Sequence, residues 1–155
     1  MTNPKSTAQI AGHPFHPMLV PFPIAFLVGT FAADLAYEAT SDPFWARGAF
    51  WLLAAALVMA ALAATAGFID FLSERLIRAQ SAAWYHMVGN VTAVVLSLVN
   101  LGIRWINGTS AGYPAVMWLS LVVVLLLLFN GWKGWEMVYQ DHVGVSDDVP
   151  YHPAE

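Results

Sequence analysis

Seven residues of this chain carry side chains suited to holding a metal or moving a proton: His13, His16, Asp70, His86, Glu136, Asp141 and His142. Imidazole and carboxylate together form the nitrogen and oxygen ligand set that zinc, iron, copper and manganese accept. Paired imidazoles inside a membrane bundle can instead ligate haem iron axially. The candidate metal ligands are His13, His16, His86, Asp70, Glu136 and His142, and the cofactors that would suit them are haem b or a transition metal (Fe, Zn or Cu). Two other uses compete: a hydrogen-bonded network that closes the end of a bundle, and proton handling without a metal. The chain has no cysteine, so disulfides, zinc–thiolate sites and cysteine-ligated clusters are excluded.

Whether those residues meet depends on the elements that carry them. Of 155 residues, 59% are hydrophobic and 10% charged, and the mean hydropathy is +0.61. Soluble domains carry about 25% charged residues, so a water-soluble fold is excluded, and so is a disordered chain. Six Lys+Arg in total leave no basic patch for nucleic acid. Four apolar stretches reach the roughly 20 residues that cross a bilayer: residues 17–38, 48–71, 82–104 and 114–139, with polar tails at 1–12 and 141–155. The polar start shows no cleavable signal, so the first stretch reads as the first helix of the mature protein. Short connections force antiparallel neighbours, which predicts a single all-α domain, a four-helix up-down-up-down transmembrane bundle.

Lys5, Arg75, Arg78 and Lys133 fall on one side of that bundle, Arg47 and Arg104 on the other. The positive-inside rule then places both termini in the cytoplasm of a bacterial inner (plasma) membrane. Most of the seven tryptophans lie near helix ends, as interfacial belts require. Gly29 with Ala33, and Ala56 with Ala60 and Ala64, offer small faces for helix contact. No internal repeat is evident. On this topology the seven candidate residues converge on the end that carries the termini.

The segment GHPFHPMLVPFP places His13 and His16 each before a proline, and Pro14, Pro17, Pro21 and Pro23 disfavour helix in the residues preceding them. An extended or broken passage into the membrane is expected there, with the imidazoles packed into the bundle mouth. In the third helix His86, Asn90, Ser97, Asn100 and Arg104 lie within about 40° of one line at 100° per residue. A polar stripe of this kind faces a bundle interior, either as interhelical glue or as a proton or water path. Lys133 and Glu136 are spaced to pair, and Asp34 could pair with Arg47 or Arg104.

The blocks GHPFHPMLVPFPIAF, TAGFIDF, YHMVGN and GWKGWEMVYQDHVGV resemble a bacterial membrane-protein family catalogued as domain of unknown function 2231. The resemblance spans about residues 11–145. It implies four transmembrane helices, and its pattern covers His13, His16, Asp70, His86, Glu136 and His142. Relatives joined to Rieske-type iron–sulfur domains hint at electron transfer.

Three functions are compatible with these residues. The first is a metal or haem centre at the cytoplasmic end, serving electron transfer or sensing, with a redox partner. The second is an accessory subunit of a larger membrane complex. The third is a proton or small-solute conduit along the stripe. No nucleophile elbow or phosphate loop is present, so independent catalysis is not expected.

Overall fold

The computed structural model describes residues 3–109 and 114–145. The first described segment forms a small hairpin, β1 (Gln9–Ile10) with β2 (His13–Pro14). Its turn residues, Ala11 at φ 48° and Gly12 at φ 80°, have the two positive φ angles that a tight two-residue hairpin needs. Short helix α1 (Phe15–Leu19) follows, then α2 (Pro21–Thr40), α3 (Pro43–Ser73), the single turn α4 (Arg75–Arg78), α5 (Ser81–Asn107) and α6 (Pro114–Tyr139). Among the described residues, α1 with α2, α3, α5 and α6 make four spans long and apolar enough to cross a membrane. The chain is an all-α multi-pass membrane bundle.

The proline-rich passage is extended only through His13–Pro14 and is helical from Phe15. Pro21 and Pro23 fall in the first turn of α2, where a missing N–H breaks no helical bond. The second span starts at Pro43 rather than at residue 48, because Asp42 caps it: the Phe44 amide donates to Asp42 Oδ1 at 2.9 Å. At its other end Arg78 donates to the carbonyls of Phe71 and Leu72, satisfying acceptors that a helix end leaves open.

Helix α2 packs on α3 and α6, and α5 packs on α6 and α3. The centre is one apolar layer of Leu27, Leu53, Ala56, Ala93 and Val123. On α3 the buried small residues are Ala49, Ala56 and Ala63, a spacing of seven, with Ala46 and Ala66 beside them. The expected 56/60/64 ladder therefore contributes Ala56 to the core, while Ala60 and Ala64 are half-buried. The interior face follows the seven-residue recurrence of antiparallel packing rather than a straight four-residue row. Leucine at the fully buried position 56 has no room for its extra methylenes. Ala56→Leu is expected to cost about 1–3 kcal/mol, seen as a lower unfolding midpoint in detergent; an unchanged midpoint would mean the layer can expand.

The two ends of the described segment meet. The Gly144 amide donates to the Pro4 carbonyl at 2.8 Å, and Asn3 Nδ2 to the Val145 carbonyl at 3.3 Å. Both described ends thus lie at one end of the bundle, as expected.

A pair of imidazoles cradled by glycines

Four helical segments build the polar centre at that end. His16 stands on α1 and its Nδ1 lies 2.8 Å from the Ala63 carbonyl of α3. His86 stands one turn into α5 and its Nδ1 lies 2.9 Å from the Asn130 carbonyl of α6. A carbonyl oxygen can only accept, so both Nδ1 atoms carry the proton, and in the neutral rings both Nε2 atoms keep the lone pair. Among the described residues, no protein group hydrogen-bonds either Nε2. The two rings are edge to face, with centroids 6.1 Å apart and planes at 80°.

Each ring reaches its carbonyl past a glycine four residues further along. A Cβ on Gly67 would sit 2.9 Å from Nδ1 of His16, and one on Gly134 would sit 3.2 Å from Cε1 of His86. Contacts that short displace the ring. Asn130 is 2% exposed, and neither Oδ1 nor Nδ2 has a hydrogen-bond partner among the described residues. Its carboxamide lies against Gly89, where a Cβ would collide with Oδ1.

The other expected ligands are engaged elsewhere. Asp70 clamps the N-terminal segment: Oδ1 accepts from the amides of Thr7 and Ala8, both at 2.7 Å, and Oδ2 from Ser6 Oγ at 2.8 Å. Glu136 accepts from Lys133 Nζ at 2.7 Å and Trp132 Nε1 at 2.9 Å. His13 is exposed and its Nδ1 contacts the Ala11 carbonyl. His142 contacts the Gln140 carbonyl within its own turn. Among the described residues there is no group of three or more His, Cys, Asp or Glu that could hold a metal ion. Of the six expected ligands, the structure brings together His16 and His86.

The stripe on α5 divides in two. Asn90 donates to the His86 carbonyl at 2.7 Å. Past the apolar layer, Arg104 Nη2 reaches both oxygens of Asp34 at 2.7 Å, Arg104 Nε donates to Asn100 Oδ1 at 2.8 Å, and Ser120 Oγ donates to Asp34 Oδ2 at 2.7 Å. Ser97 Oγ is buried without a partner among the described residues. Ala93, Leu27, Leu53, Ala56 and Val123 separate the two polar centres.

Behind this arrangement lies a repeat. Moving 70 residues along takes His16, Pro23, Leu27, Thr30 and Asp34 to His86, Ala93, Ser97, Asn100 and Arg104. All but the two histidines are buried. Moving 67 residues takes Ala49, Leu53, Ala56, Ala63 and Gly67 to Val116, Ser120, Val123, Asn130 and Gly134, and all but the glycines are buried. The packing respects the exchange, since α2 on α6 becomes α5 on α3. The burial pattern of the first helical hairpin thus recurs in the second, and each hairpin contributes one imidazole, one carbonyl and one glycine.

No curated protein and no solved structure matches the chain. Residues 12–147 match the family model described as "Predicted membrane protein (DUF2231)". With four apolar spans and both described ends at one end of the bundle, this chain belongs to that family of multi-pass membrane proteins.

Proposed function

We propose that the protein is a membrane-embedded haem b protein for one-electron transfer, whose haem would be held by His16 and His86. The observation that carries this reading is the shared orientation of the two rings: each spends Nδ1–H on a backbone carbonyl and keeps Nε2 available. Metal-bound histidines are held in this way, with the second nitrogen fixing tautomer and direction. The two ring centroids lie 6.1 Å apart, close enough for one bound group to be shared between His16 and His86. Two protein ligands fall short of the three or four that a zinc site uses, whereas haem brings its own equatorial nitrogens. When bound, haem supplies a reversible iron redox couple whose potential depends on axial ligands and burial.

The chain's own residues supply the rest. Gly67 and Gly134 give the rings room, and the apolar layer below them keeps water from the membrane centre. Lys5, Arg75 and Arg78 lie at the same end as the pair, and Arg104 at the other end is neutralised by Asp34. This bias supports a cytoplasmic location for the site and both termini in a bacterial inner membrane, with a redox partner docking at that end.

The test is the absorbance and metal content of detergent-purified protein produced with ample haem supply. One haem per chain with a Soret band is expected. His16→Ala and His86→Ala should each lose it, while His13→Ala retains it. Binding should weaken in acid, because the ligating imidazoles must be neutral. Stoichiometric copper, iron or zinc without a Soret band would redirect the site to a bare metal. Colourless, metal-free parent protein would overturn the proposal in favour of an accessory subunit of a larger complex.

A further inference from the structure

The same device occurs in both hairpins. In an α-helix the carbonyl of residue i already accepts the amide of residue i+4. A ring from a neighbouring helix can use the second lone pair only by passing the side chain at i+4. Ala63 and Gly67 stand in this relation, and so do Asn130 and Gly134. At both places the intruding group is a histidine Nδ1, and a Cβ would meet that ring at 2.9 Å or 3.2 Å. Gly131, on the same helix as Gly134, has nothing within 4 Å of its Cβ position. Alanine is the better helix former, so helix stability gives no reason for glycine at 67 and 134.

We infer that Gly67 and Gly134 are the positioning residues of the imidazole pair: they fix His16 and His86 as Nδ1–H tautomers and so leave both Nε2 atoms available to a ligand. That the ligand is haem rests on the reading above; the tautomer assignment does not.

The experiment is nitrogen-15 NMR of the full-length protein, labelled at histidine, in detergent micelles at pH 8. Long-range nitrogen–proton couplings distinguish an Nδ1–H from an Nε2–H imidazole. In the parent, His16 and His86, assigned by substitution, should both be Nδ1–H. Gly67→Ala should move His16 out of that form and leave His86 unchanged. Gly134→Ala should do the reverse and to a smaller extent, because its contact is looser. Gly131→Ala should change neither ring. Haem affinity of the two cradle variants should fall by about 10–100-fold, the usual effect of losing an outer partner of a metal ligand. If Gly67→Ala does not fold, the milder Gly134→Ala variant decides the matter alone. Either ring remaining fully Nδ1–H after its own glycine is replaced overturns the inference. A parent without haem that shows the tautomer pattern sinks the haem reading and leaves the positioning role standing.

Discussion

Arg104→Met is expected to destabilise the folded bundle by about 3–5 kcal/mol, the cost of removing one partner from a buried ion pair. Asp34 is 4% exposed and Arg104 3%, inside the span of two membrane helices. Without the guanidinium, Asp34 keeps only the Ser120 hydroxyl among the described residues, and Asn100 Oδ1 loses the Arg104 Nε donor. A carboxylate stranded at that depth either stays charged at high cost or takes up a proton. The double variant Asp34→Leu/Arg104→Met should recover most of the loss, because apolar replacement of a whole buried pair is often neutral. Unfolding midpoints of parent, single and double variants in detergent measure both effects. A single variant as stable as the parent would show that the pair is not desolvated. The pair also joins equivalent positions of the two hairpins, so its loss should separate α2 from α5 without disturbing the imidazoles across the apolar layer.

Hydropathy made the four spans legible, because each holds enough apolar residues to leave no other solvent for it but lipid. It did not reveal where helices begin. Charges at Asp42 and Arg47 read as loop, yet Asp42 is a cap and Arg47 is an exposed residue of the first turns of α3. The interior placement of Ser97, Asn100 and Arg104 was legible for the same physical reason, since polar groups facing lipid are expensive. Topology also brought the histidines and carboxylates to one end. It could not say which of them meet, because local bonds decide that: the amides of Thr7 and Ala8 take Asp70, Lys133 takes Glu136, and tight turns occupy His13 and His142. The repeat was hidden because counterparts share burial and not type. Thr30 answers to Asn100 and Asp34 to Arg104, so apart from the paired histidines and glycines no identity survives to be counted. The cradles were hidden as well, since a glycine within a membrane helix is common. The signal that could have found them is a pair: one histidine near the start of each odd span and one glycine near the end of each even span, at nearly equal separation.

Asn130 breaks that symmetry, and its side chain sets the second large effect. Its counterpart Ala63 receives His16 with a carbonyl and nothing more, so the cradle requires no carboxamide. Yet Oδ1 and Nδ2 of Asn130 are both buried and unpartnered among the described residues, and Gly89 lacks the Cβ that would collide with them. Each orphaned polar group costs about 1–3 kcal/mol. Replacing the carboxamide with the nearly isosteric leucine removes both penalties and leaves the backbone carbonyl in place for His86. Asn130→Leu is therefore expected to stabilise the ligand-free protein by about 2–4 kcal/mol, read as a higher unfolding midpoint, with His86 still in the Nδ1–H form. A lower midpoint would mean that the carboxamide has a partner in the folded protein. A higher midpoint together with weaker haem binding would identify that partner as the ligand itself, in line with stability given up at a binding site.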